Sequence, residues 1–134
     1  MDLALTPYVA LFIGGTAAIL LAVGWVLARR DTIGSPALAA ALAGGFAAYS
    51  GVTIWAEGLM RVLVNHTSNL WGVQVWWDLL ISVTVALFLI APRARAAGMN
   101  LPVWTALILA TASIGLLAMC ARLFWLERTV AAKP

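Results

Sequence analysis

From Tyr8 to Leu27 the sequence reads YVALFIGGTAAILLAVGWVL, with no charged side chain in it. A soluble fold buries one stripe of a surface helix, whereas here every position around the helix is apolar or small. About 20 helical residues cross the ~30 Å hydrocarbon core of a bilayer, with their backbone hydrogen bonds closed inside the segment. Three more apolar runs follow, over 36–55, 73–90 and 101–124, and they contain only two charges, Asp78 and Arg122. The pattern predicts an all-α integral membrane protein: a four-helix bundle of antiparallel up-down hairpins, with residues 1–134 as one domain and spans at about 8–27, 36–55, 73–90 and 101–124. Continuous rather than alternating runs exclude a transmembrane β-barrel.

Composition supports lipid as the main solvent. Charged residues make up 10% of the chain and hydrophobic ones 64%, against about a quarter charged in soluble domains. The formal charge of +3 is small and scattered, which argues against nucleic acid as a partner. A lone cysteine, Cys120, excludes an intrachain disulfide and a thiolate metal cage, and is expected to pack as a small hydrophobe. The start, MDLALTPYVALF, has no basic segment of the secretory-signal kind, so the first span is expected to be retained. Asn65-His66-Thr67 matches the glycosylation triplet, a pattern common by chance.

Local signals set the ends of the spans. Arg29 and Arg30 close the first, Pro36 opens the second, the segment APRAR closes the third, and Asn100 with Pro102 opens the fourth. The connection AEGLMRVLVNHTSNLWG, residues 56–72, is longer; its first half either extends span two or lies in the interface as an amphipathic turn. Four up-down spans put Arg61, Arg122, Arg128 and Lys133 on one side and Arg29, Arg30, Arg93 and Arg95 on the other, a tie. Of the acids, Asp2, Glu57, Asp78 and Glu127 fall on the first side and Asp31 on the second. The preferred orientation places loops 28–35 and 91–100 in the cytoplasm of a bacterial cell, in its inner membrane, with both termini outside.

Two polar stripes stand out within the spans. Ser50, Thr53, Glu57 and Arg61 share one helix face, and Gln74, Asp78 and Ser82 share another at four-residue spacing. Topology would gather Glu57, Arg61, His66, Asp78 and Arg122 into a polar cluster at one mouth of the bundle. The favoured meaning is structural: Glu57 pairs with Arg61, and Asp78 with Arg122 or with free backbone amides. A proton relay or transport path is the competing meaning, since relays use carboxylates and histidines in series. No nucleophile-base pair suggests catalysis, and the single histidine, His66, makes no metal or haem ligand set. The cofactor question stays open at this point.

The seven tryptophans, Trp25, Trp55, Trp71, Trp76, Trp77, Trp104 and Trp125, all fall near expected span ends, as an interfacial belt would. Gly14, Ala18 and Ala22 form one small-residue stripe, and Gly44, Ala48 and Gly51 nearly form another; both favour close helix contact.

The stretch WWDLLISVTVALFLIAPRARAAGMNLPVW, followed by an apolar span ending FWLERT, resembles an uncharacterised, mostly bacterial family of small membrane proteins. Asp78 to Ser82 match its DLLIS-like segment, Arg95 to Met99 its glycine-methionine turn, and Leu126 to Arg128 its helix end. The resemblance covers about the last 60 residues, implies a helical membrane fold, and carries no activity. A small multidrug transporter would need a carboxylate in the middle of span one, which is lacking, and a fluoride channel would need a phenylalanine-rich motif that is also missing. The expectation is a non-catalytic accessory or interaction subunit whose partners are the lipid bilayer and other membrane subunits or a second copy. The alternatives are a small proton-coupled transporter or channel, and a pigment-, haem- or lipid-binding membrane protein.

Overall fold

A computed structural model describes residues 6–29 and 32–132, all in helices and the turns between them. Asp2, Arg30, Asp31 and Lys133, four of the charges used for sidedness, lie outside the described residues. The chain divides into two units, 1–34 and 35–134. Three helices are long and apolar enough to cross a membrane: Pro7–Ala28, Pro36–Glu57 and Leu70–Ala96.

The first unit holds α1, Pro7–Ala28. Thr6 caps it by accepting from the Val9 amide at 3.3 Å, and Pro7 occupies the first turn, where its missing N–H costs nothing. At its far end the Arg29 guanidinium lies 4.4 Å from the centre of the Trp25 ring. A cation on an indole suits an interface, where one end is wet and the other apolar.

The second unit holds α2 (Pro36–Glu57), α3 (Arg61–Thr67), α4 (Leu70–Ala96), α5 (Leu101–Thr111) and α6 (Ser113–Ala131). Ser35 caps α2 through the Leu38 amide at 3.2 Å. Gly58, at φ +83°, ends α2 in a conformation that glycine tolerates without a Cβ penalty. Asn69 then caps α4 by accepting from the Gly72 amide at 2.8 Å. Gly72 is also where α3 lies against α4: a Cβ there would collide with the Asn65 carbonyl oxygen.

The expected third span, 73–90, is extended in α4 through Pro92 to Ala96. A glycine-based C-cap finally stops it. Gly98 has φ +73°, its amide donates to the Arg95 carbonyl at 3.0 Å, and the Met99 amide donates to the Ala94 carbonyl at 2.9 Å. This paired pattern is a Schellman motif, in which the residues flanking the glycine also meet through apolar contact. Ala94 and Met99 both belong to the apolar core of the unit.

The apolar run 101–124 does not form one continuous helix. It starts as expected, with Asn100 accepting from the Val103 amide at 3.4 Å, but it breaks at Ala112, which has φ +49° and ψ −115°. The break turns the chain sharply. A Cβ on Gly115 would stand 2.9 Å from both the Cα and the nitrogen of Ile108, two turns earlier in sequence. In a straight helix those residues would be separated by about 10 Å along the axis. α5 and α6 therefore pack on each other, and α6 also packs on α2 and α4. The turn is half-buried in protein, as non-helical backbone at membrane depth requires.

The reversal changes which ends meet. Arg93, near the end of α4, donates from Nε to Glu127 Oε1 at 2.9 Å and from Nη2 to Oε2 at 2.6 Å. An up-down bundle with 101–124 as a single span would hold these two residues at opposite membrane faces. Here the C-terminal ends of α4 and α6 come together, so the end of α6 shares a face with the 97–100 turn. With 101–131 folded as two helices, the end of α6 lies beside the end of α4 rather than at the far end of the unit.

Ala94, Ile108, Met119 and Leu123 are the most deeply buried apolar residues, followed by Ala39, Ala43 and Val83. Ala94, Ile108 and Met119 form with Val83 one cluster where α4, α5 and α6 converge, and the partly buried Leu79, Leu87 and Ile90 pack against it from α4. Ala39 and Ala43 are the buried positions of α2, whose main neighbour is α6. Within the chain α2 buries these alanines, and the stripe Gly44, Ala48 and Gly51, expected to favour contact inside one chain or between chains, is exposed. On α1, Gly14 and Ala18 are exposed and Ala22 is half-exposed. Large apolar side chains face outward elsewhere, with Trp55 and Leu70 at 88% exposure and Phe88 at 80%. Lipid accommodates such a surface, and helix contacts within it depend on van der Waals fit rather than on water release.

Candidate functional site

Of the five expected cluster residues, Glu57, Arg61, His66 and Asp78 lie toward the end of the second unit where α4 begins, and Arg122 lies toward the other. Glu57 ends α2 and Arg61 opens α3; both are exposed, with the Gly58 turn between them. That turn interrupts the helix on which an i,i+4 pair would depend, and no ion pair joins the two residues. His66 is half-buried. Its Nδ1 lies 2.7 Å from the Val62 carbonyl, and its ring meets Trp76 edge-on at 5.3 Å between centroids. The histidine thus fastens α3 to α4. Trp76 is correspondingly half-buried, so it packs within the protein.

Arg122 lies toward the opposite end of the unit from Asp78. Glu127 meets Arg93, Arg122 is five residues before Glu127, and Asp78 is fifteen residues before Arg93. At 1.5 Å per residue, Arg122 and Asp78 are separated by about 15 Å along the helix axes. Arg122 instead covers its own neighbour, with its guanidinium 4.5 Å from the Trp125 ring centre. Trp104 packs against the apolar core, whereas Trp55, Trp71, Trp77 and Trp125 are exposed.

Asp78 is left exposed on α4, in line with Gln74 and Ser82, which are also exposed. The opposite side of the helix carries the buried Val83 flanked by the half-buried Leu79 and Leu87. None of the three polar side chains has an ion pair or hydrogen bond to another described residue. Depth makes this notable. α4 has 27 residues, about 40 Å of helix against a ~30 Å hydrocarbon core. Setting Arg93 at one boundary of such a core would put the other near Val73, and Asp78 about 7 Å inside it.

The opposite end of the unit is strongly basic. Arg93, Arg95, Arg122 and Arg128 gather there with Glu127, a net charge of +3, while Glu57, Arg61 and Asp78 leave −1 toward the other end. Glu127 engages Arg93 with both carboxylate oxygens, and Arg93 also lies 5.6 Å from the Phe124 ring centre. Arg95 makes no ion pair and lines an open groove between α4 and α5. Sequence reasoning had no means of grouping these residues. Arg93 and Glu127 are 34 positions apart, and they meet only because of the reversal at Ala112.

Among the described residues, no group of three or more His, Cys, Asp and Glu side chains is placed to hold a metal ion. No known protein family, curated protein or solved structure matches the chain.

Proposed function

We propose that this chain is a multi-span membrane protein acting as a non-catalytic accessory or interaction subunit, and that α4 docks a partner helix through Gln74, Asp78 and Ser82. The exposed and unpaired Asp78 carries the proposal. A carboxylate facing lipid within a span costs up to about 3 kcal/mol, and an aspartate is too short to reach the interface as lysine or arginine does. A partner helix bearing a basic or amide side chain at that depth removes the cost. The exposed Gly44 and Gly51 support the same proposal from α2, since a Cβ at either would meet nothing within 4 Å in this unit.

The basic end is assigned to the cytoplasm, because short loops rich in arginine are retained on that side. This keeps loop 91–100 cytoplasmic and moves the C-terminus to the same side.

Co-purification from native membranes tests the subunit role. Wild-type protein is expected to bring down a defined partner that Asp78→Ala loses at least tenfold. A monodisperse monomer with no partner, or an unchanged partner set in Asp78→Ala, would refute it. The same carboxylate supports a second reading, a small proton-coupled transporter or channel. It ranks lower because Arg122 and His66 do not form a series with Asp78. Proteoliposome flux abolished by Asp78→Asn would promote it, and flux indifferent to that change would dismiss it.

A further inference from the structure

The groove beside Arg95 lies between the last turns of α4 and the whole of α5. Leu87, Ala91, Leu101, Thr105 and Leu109 form its walls, and Arg95 stands at its rim. Three features bear on what fills it. The first is length: α5 has 11 residues, about 16 Å of helix, close to half of a ~30 Å hydrocarbon core. The groove therefore runs the depth of one leaflet, as a lipid acyl chain does.

The second is chemistry along the groove. Leu109 at the deep end is 75% exposed, and the walls are aliphatic apart from the Thr105 hydroxyl. At the shallow end the only charge lining the groove is Arg95. The third is electrostatic. The nearest arginine along α4, Arg93, is engaged by both oxygens of Glu127, so its charge is largely compensated. Arg95 has no such carboxylate. A guanidinium at headgroup level above an apolar trough of leaflet depth complements a phosphate ester carrying a hydrocarbon tail.

We propose that the α4–α5 groove binds an anionic phospholipid, with an acyl chain along Leu87, Ala91, Leu101 and Leu109 and the headgroup phosphate on Arg95. The inference rests on the membrane assignment made above and adds a ligand class and a site to it. The Schellman turn at Gly98 sets the site by fixing the angle at which α5 leaves α4, so the groove exists before lipid arrives. An anionic rather than zwitterionic headgroup is selected because Glu127, the described carboxylate at this end, is already engaged by Arg93 and is not left to receive a choline or ethanolamine cation.

The test uses full-length protein in nanodiscs of equal phosphatidylglycerol and phosphatidylcholine, with retained lipid counted by native mass spectrometry. Wild-type protein is expected to retain phosphatidylglycerol in preference, and Arg95→Gln to reduce that preference about fivefold. Arg122→Gln, at the same end but outside the groove, should leave it nearly unchanged. Ala106→Phe, which fills the groove without altering charge, should lower the amount of both lipids retained. Equal retention of the two lipids by the wild type, or equal losses in Arg95→Gln and Arg122→Gln, would overturn the site while leaving the membrane assignment intact. A protein that stays soluble without detergent and does not enter nanodiscs would overturn the membrane assignment itself.

Discussion

Replacing Gly115 by alanine tests the break between α5 and α6 through a change of sign. The added Cβ would lie 2.9 Å from two backbone atoms of Ile108 and 2.8 Å from Thr111 Oγ1, where ordinary contact begins at 3.4 Å. Backbone atoms cannot rotate aside. The Thr111 hydroxyl is itself held by the Leu107 carbonyl at 2.7 Å, so moving it gives up a hydrogen bond. The helices must part by about 0.5 Å, and overpacking of this kind costs about 1–3 kcal/mol. The usual gain from alanine over glycine inside a helix, about 0.5–1 kcal/mol, offsets only part of that. The net expectation is a loss of about 1–2 kcal/mol, a five- to thirty-fold fall in the folding equilibrium. Unfolding in mixed micelles, followed by tryptophan fluorescence, measures it. Gly44→Ala is the control, because a Cβ there meets nothing within 4 Å, and it should stabilise by about 0.5–1 kcal/mol. If Gly115→Ala stabilises as Gly44→Ala does, residues 101–131 form a straight helix and the account of the break is wrong.

Ala112→Gly should stabilise the protein by about 1 kcal/mol, because φ +49° strains any residue with a Cβ; the same unfolding assay checks this, and a loss of stability would refute the turn. Arg93→Gln, Glu127→Gln and the double variant form a thermodynamic cycle in the same assay. The bidentate pair is partly solvated, at 43% and 20% side-chain exposure, so the expected coupling is about 1 kcal/mol, and additive effects would indicate that the two ends do not meet.

What the sequence disclosed was mostly local. Helix starts were legible because Ser35 with Pro36 and Asn100 with Pro102 carry their capping chemistry in adjacent residues. The membrane assignment followed from run length alone. The break at Ala112 escaped because a hydropathy window counts apolar residues and is blind to backbone angles, and no proline or glycine marks that position. Signals were nevertheless present: Thr111, Ala112 and Ser113 interrupt the aliphatic pattern, and Gly115 stands one turn later. Everything nonlocal depended on this one turn. With 101–124 read as a single span, Arg122 moved to the wrong end and Glu127 was separated from Arg93, so the polar cluster was assembled from residues of two different depths. Proline misled in the opposite sense, since α4 continues past Pro92 to the turn at Gly98. Asp78 was visible from the start as a charge inside an apolar run, whereas its lack of an ion-pair or hydrogen-bond partner among the described residues required the fold.

The central claim is that α6 returns to the end of α4, and membrane sidedness tests it most directly. Ala96→Cys and Ala131→Cys, each made with Cys120→Ser, mark the ends of α4 and α6, and both positions are exposed. Sealed vesicles of known orientation, treated with a membrane-impermeant maleimide, report the side of each cysteine. The account predicts that both label from the same side, the cytoplasmic one. Labelling from opposite sides would show that residues 101–131 cross the membrane once, and would contradict it.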